Sequence, residues 1–227
     1  MYFDSYYVIF VVPALLLSLL AQVMVKTRFA KYSKKMSERQ ITGTQAASFL
    51  LRANGITDVQ LGRISGNLTD HYDPSNKVLR LSDSVYDSTS IAAIGVAAHE
   101  TGHAIQHARK YAPLALRSFL VPIANIGSSA GPWLAVLGIV LTLPFLTDIG
   151  ILLFAGSVLF YVITLPVEFN ASNRALKILK QNNVLSKEEL KGVKKVLGAA
   201  AMTYVASALV AIGNFLRLVF IAKNRRD

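Results

Sequence analysis

The chain has 227 residues, 53% of them apolar and only 16% charged, with no cysteine. Soluble domains run at about 45–50% apolar and about 25% charged, so the composition excludes a disordered chain and points away from a freely soluble globule. The 24 Lys and Arg outnumber the 13 Asp and Glu for a formal charge of +11, and the missing thiols exclude a disulfide scaffold, a cysteine nucleophile and thiolate metal ligands.

In chain order, the first feature is an uncharged run from Ser5 to Val25, bounded by Asp4 and Lys26. About 20 apolar residues cross a bilayer. The Tyr-rich, acidic front lacks the basic start of a cleaved signal, so residues 1–25 read as an uncleaved anchor. Residues 26–117 follow as the main water-facing part. Thr42 or Thr44 caps a short helix over Gln45–Ala53 that stops at Asn54-Gly55. Val59–Ile64 and Lys77–Leu81 alternate as strands do, with the turn-rich stretch Ser65–Asn76 between them. Ser88 or Ser90 then opens a long helix that runs to the region of Lys110.

Between Arg117 and Glu168 the only charge is Asp148, so residues 118–167 read as a helical membrane hairpin with Pro144, Asp148 and Gly150 at its turn. Pro122, Pro132 and the small residues Gly127–Gly131 offer its first arm a kink, a close-packing surface or the lining of a substrate path. Residues 168–195 return to water. Glu168–Gln181 reads as a helix, and Ser186-Lys-Glu-Glu189 has the spacing of a capping box that starts another. Residues 196–227 form a fourth membrane or membrane-associated helix with a basic tail. The expected fold is thus a mainly α membrane protein, with about four membrane helices and a small α+β cytoplasmic portion.

Thirteen of the basic residues fall between Lys26 and Arg117, seven between Arg174 and Lys195, and four from Arg217 onward. The positive-inside rule therefore places 26–117 and 168–195 in the cytoplasm of a multi-pass cell-membrane protein. A complete fourth crossing conflicts with that rule, because it carries Lys223, Arg225 and Arg226 outward. Proximity to an anionic lipid bilayer accounts for the net charge. The aromatic residues sit in the apolar runs rather than among the basic ones, so no nucleic-acid partner is expected.

The chemistry concentrates in His99-Glu100-Thr101-Gly102-His103. Residues i and i+4 share one face of a helix, so both imidazoles can direct a nitrogen at one ion at the roughly 2.0–2.1 Å of a zinc–nitrogen bond. Glu100 lies about 100° around the helix from His99, beside the metal rather than on it, where a carboxylate can take a proton from an activated water. This is the H-E-x-x-H pattern of zinc peptidases; the same letters also suit a helix whose histidines and glutamate make ordinary hydrogen bonds. Ala97, Ala98, Gly102 and Ala104 leave room around the motif. His107 cannot share the ion with His99, being eight residues and about 12 Å of helical rise away, and reads as a surface or supporting residue. Candidates for a third ligand are Glu168, His71, Asp70 and Asp73. Glu168 is an ionisable group at a membrane boundary, where pairing with Arg174 is the alternative. Asp70-His71-Tyr72-Asp73 has the composition of a turn.

Glu168-Phe-Asn-Ala-Ser172-Asn-Arg174-Ala, Ala98-His-Glu-Thr-Gly-His-Ala-Ile-Gln106 and Asp70-His-Tyr-Asp-Pro74 together resemble the YugP-like neutral zinc metallopeptidases. These are small multi-pass proteins of bacterial membranes, more distantly similar to the HtpX-type membrane proteases and the CAAX prenyl endopeptidases. The resemblance spans nearly the whole chain. It implies a zincin-like site with zinc as cofactor, His99, His103 and Glu168 as ligands, and Glu100 as the base. Where the family pattern has an aspartate two residues after the ligand glutamate, this chain has Asn170, so another group must support a ligand histidine.

The expected function is a membrane-embedded zinc endopeptidase working at the cytoplasmic face. Its substrate is a peptide or a segment of a membrane protein, paired along the Lys77–Leu81 strand by backbone hydrogen bonds. His71, Tyr72 and Arg174 are candidate donors to the developing oxyanion. The alternative is a non-catalytic membrane assembly or scaffold protein with a structural or vestigial zinc site, which a fourth ligand such as His71 would close. A transporter ranks behind both, because Asp148 is the only ionisable residue that the hairpin offers.

Overall fold

A computed structural model of the chain describes residues 4–224. Residues 1–3 and 225–227, including Arg225 and Arg226 of the basic tail, lie outside the described residues. The chain divides into two compact units. An apolar unit draws on Met1–Gln22, Ala115–Pro166 and Met202–Asp227, and a polar unit on Val23–Leu114 and Val167–Ala201.

A π-helical stretch, Tyr7–Val11, leads into α1 (Val12–Ser33); α4 (Ala112–Val140), α5 (Pro144–Gln181) and α6 (Lys187–Asn224) are the other long helices. Among the described residues, four helices are long and apolar enough to cross a membrane, so the fold is that of a mainly α membrane protein with a small α+β portion. At 1.5 Å per residue, the 38 residues of α5 and the 38 of α6 each span about 57 Å, well beyond a hydrocarbon core of about 30 Å. Accordingly α5 does not break near Glu168, where the apolar pattern suggests that a membrane arm ends and a separate helix begins.

Within the apolar unit, α4 and α5 are joined by a short turn at Leu141–Leu143, with Thr142 at φ 54°. Pro144 is the first residue of α5, where its missing N–H costs nothing. Asp148 and Gly150 are helical rather than part of the turn. Pro122 and Pro132 lie inside α4, and the small residues serve close packing: a Cβ at Gly131 would stand 2.9 Å from the backbone nitrogen of Phe154. The end of α6 lies beside the start of α1. Arg217 grips Asp4 through Nη2 at 2.7 Å and Nε at 2.9 Å, and Phe220 stacks on Tyr6 and Phe10. The first basic residue of the tail region is thereby neutralised.

The polar unit holds α2 (Gly43–Ala53), β1 (Gln60–Ile64), β2 (His71–Asp73), β3 (Val78–Ser82) and α3 (Ile91–Ala108). Thr42 caps α2 in a reciprocal capping box with Gln45, and Ser90 caps α3 by accepting from the Ala93 N–H. The sheet order is β1-β3-β2, with β1 parallel and β2 antiparallel to β3. Residues 71–73 are therefore a strand where the composition suggests a turn. Asp70 secures that pairing by accepting from the backbone N–H and the hydroxyl of buried Ser82 at 2.7 and 2.8 Å. Because β3 is central, with both edges occupied, Lys77–Leu81 is not available to pair with a substrate. Leu79 and Leu81 of β3 pack with Leu50 of α2, Ile94 of α3, Leu179 of α5 and Val193 of α6 in one core. That core fixes α3 against the polar end of α5.

Candidate metal centre

Helix α3 is buried on almost every side, which its run of Ala and Gly permits. It meets the polar part of α5 at Gly102, where a Cβ would stand 2.7 Å from the carbonyl oxygen of Ala171. Only glycine allows two helix backbones this close, and the crossing brings Glu168 up to the histidine pair. His99 Nε2 is 3.3 Å from Glu168 Oε2, and His103 Nε2 is 3.6 Å from the same oxygen. The two imidazoles stand edge to face, 87° apart.

The donor set fits zinc. Two imidazole nitrogens and one carboxylate oxygen lie within 4.8 Å of one another. Ligands on bonds of about 2.0–2.1 Å in a tetrahedron are separated by about 3.3 Å, and the separations of 3.3 and 3.6 Å lie close to that. Burial disfavours the His103 imidazolium, but the carboxylates of Glu168 and Glu100 outweigh it and hold the His103 pKa above the ordinary histidine value. The surroundings thus favour positive charge between these groups. Glu168 is buried, with 3% of its side chain exposed, whereas the His99 and His103 side chains retain 14% and 11%, so the trio is reached past the two imidazoles.

Each histidine is held by its other nitrogen. His103 Nδ1 lies 3.0 Å from Gln106 Oε1, and His99 Nδ1 lies 3.2 Å from Ser172 Oγ. Such partners leave Nε2 free to ligate. Gln106 is fully buried and its Nε2 donates to the Val167 carbonyl at 2.8 Å and to Asn170 Oδ1 at 3.0 Å. Asn170 Oδ1 also accepts from Arg174 Nε at 2.6 Å. Asn170 therefore does not touch a histidine. It orients the glutamine that does, and this neutral amide is the other group that Asn170 in place of an aspartate calls for. Gln106 and Ser172 escape a motif search, yet Gln106 is three residues past His103 and Ser172 four past Glu168, the spacings that share a helix face.

The remaining sequence candidates are spent elsewhere. His71 Nδ1 lies 2.9 Å from the Thr69 carbonyl, and Asp73 holds Arg80, Asn76 and the Ser75 N–H. His107 Nδ1 lies 2.8 Å from the Tyr72 hydroxyl, whose pKa is pushed up to about 12 by burial and by the charges of Asp58 and Asp73, so this phenol stays protonated. Among the described residues, none of His71, Asp70, Asp73 and His107 joins the trio.

Residues 7–223 match a protein family described as "Putative neutral zinc metallopeptidase". The chain is also similar to a protein of Bacillus subtilis (strain 168) described as "Putative membrane protease YugP". The two are 46% identical over 221 residues, covering 97% of this chain and 98% of that one. No solved structure matches the chain.

Proposed function

The chain belongs to this family of neutral zinc metallopeptidases, and on that premise we propose that it is a membrane-embedded zinc endopeptidase that cleaves peptide segments at the cytoplasmic face. The observation that carries the reading is the convergence of His99, His103 and Glu168 on one point, with the buried Glu100 on the adjoining face of the same helix. These three residues would hold the metal. A bound zinc supplies Lewis acidity for the scissile carbonyl and lowers the pKa of a water toward about 7.

The protein's own groups do the rest. Glu100 accepts the proton of the attacking water on its carboxylate and returns it to the leaving amine nitrogen. Gln106 and Ser172 hold the two imidazoles in the tautomer that presents Nε2. The buried walls of α3 exclude bulk water. A site with three protein ligands leaves a coordination position for substrate, whereas a structural zinc site is closed by four; the engagement of His71 with Thr69 supports the open form over a scaffold role. The concentration of basic residues in 26–117 and 168–195 supports the cytoplasmic placement, and the long apolar helices support substrates that lie in or beside the membrane.

The test is Glu100→Gln in purified full-length protein, with zinc counted by elemental analysis and cleavage followed on a quenched fluorescent peptide. Zinc should remain near one per chain while the rate falls by about 10²–10⁴. Undiminished cleavage by the variant would remove Glu100 from the chemistry.

A further inference from the structure

A second feature of the polar unit has no part in peptide hydrolysis. An open-sided cavity of about 660 Å³ lies between the last turns of α1 and the first turns of α6. Its lining is rich in lysine: Lys31 and Lys35 from the α1 side, Lys191 and Lys195 from α6. Tyr32, 7% exposed, packs at its floor. Gly192 admits that ring, since a Cβ there would stand 2.8 Å from Tyr32 Cε1.

Three carboxylates share the lining, and two of them are already used. Glu189 accepts from the Glu38 N–H at 2.9 Å with one oxygen and from the Ser186 N–H at 2.7 Å with the other. Glu188 pairs with Lys191 at 2.7 Å out in solvent. Glu189 keeps its negative charge under those backbone N–H groups, so Lys31, Lys35 and Lys195 face two carboxylates, Glu38 and Glu189, and the lining carries a net excess of one positive charge. The Lys35 ammonium is steered over the Tyr32 ring, 5.7 Å from its centroid. In the same stretch the buried hydroxyls of Ser33 and Ser37 find no hydrogen-bond partner among the described residues.

Depth along the helices indicates what such a cavity meets. Lys31 comes six residues after Val25, the end of the first uncharged run, which is about 9 Å of helix. Lys195 directly precedes the last such run. The headgroup layer is about 5–8 Å thick on each side of the hydrocarbon; the Lys31 backbone lies just beyond it with a side chain tilted back toward the helix N-terminus and so toward the layer, and Lys195 stands at its inner edge with a side chain tilted outward.

We propose that this cavity is a phosphate-binding site, built by Lys31, Lys35 and Lys195, that takes the phosphate of an anionic phospholipid headgroup or a soluble phosphate. A basic pocket between helices at headgroup depth has the chemistry for it, and the site is separate from His99, His103 and Glu168.

The test uses full-length protein in detergent with phosphatidylglycerol, phosphatidylcholine and inorganic phosphate as probes. Native mass spectrometry measures the affinity of the first lipid bound, and thermal unfolding reports on phosphate. Phosphatidylglycerol should bind in preference to phosphatidylcholine. The double variant Lys31→Gln/Lys195→Gln should weaken it about thirtyfold, equivalent to about 2 kcal/mol at 1.4 kcal/mol per decade. Lys177→Gln/Lys180→Gln, which removes the same charge from exposed positions of α5, should leave it unchanged. A thermal shift with inorganic phosphate that the Lys31/Lys195 variant loses identifies a soluble ligand; lipid preference without that shift identifies the headgroup. Either result supports the site. Equal binding of the two lipids with no phosphate shift overturns it, as does equal weakening by both double variants, which reduces the effect to overall charge.

Discussion

The crossing of α3 over α5 makes a sharp prediction at Gly102. In an open helix interior, replacing glycine by alanine stabilises by about 1 kcal/mol through propensity alone. At Gly102 the added Cβ would stand 2.7 Å from the Ala171 carbonyl oxygen, where ordinary contact begins at 3.4 Å. The obstacle is backbone, so the helices must part by about 0.7 Å, and overpacking of this kind costs about 1–3 kcal/mol. The clash therefore outweighs the propensity gain. The same displacement carries Glu168 away from His99 and His103, now 3.3 and 3.6 Å from its Oε2. Metal–ligand distances tolerate only about 0.2 Å, so zinc affinity should fall at least about tenfold. The comparison variant is Gly198→Ala, because a Cβ there meets nothing within 4 Å; it should be neutral or stabilising and keep its zinc. Chemical denaturation of both variants, with zinc measured by competition against a chromogenic chelator, tests the pair. A Gly102→Ala protein as stable and as zinc-loaded as Gly198→Ala would refute the close crossing as the device that assembles the site.

Two further outcomes follow from the same geometry. Gln106→Leu keeps the volume of a fully buried side chain but removes the acceptor at His103 Nδ1 and the extra donor to the Val167 carbonyl; zinc should bind about 10–100-fold more weakly, and unchanged affinity by chelator competition would show that Gln106 only fills space. The second concerns acid. Hydrogen bonds from Lys77, Asn76 and Arg63 hold Asp58, Asp73 and Asp83, respectively, below the usual carboxylate range. Groups depressed in the folded state contribute stability that is complete above their unfolded pKa of about 3.9 and disappears as pH falls through the folded value. The denaturation midpoint should hold steady from pH 7 to 5 as far as these groups are concerned, then drop by pH 3, with a smaller drop when all three are changed to Asn; a midpoint at pH 3 equal to that at pH 5 contradicts the assignment.

What the sequence determines by itself is whatever depends on neighbours along one helix or one apolar run. The charge-free stretches identify the membrane helices because a bilayer tests length and polarity segment by segment. The capping box at Ser186–Glu189 is legible because both partners lie three residues apart, whereas the choice of Thr42 over Thr44 as the cap of α2 comes from the structure. His99, Glu100 and His103 are legible for the same reason, since helix geometry alone puts the two histidines on one face. Tertiary structure decides everything that requires two elements to meet. It joins β2 to β3, leaving Lys77–Leu81 no free edge, and it pairs Asp4 with Arg217 across 213 positions. It brings Glu168 to His99 across 69, and it chooses Gln106 over a carboxylate to hold His103. No local preference encodes those contacts. The contact of Glu168 with His99 follows from how closely α3 and α5 can approach, and the atom missing from Gly102 sets that distance.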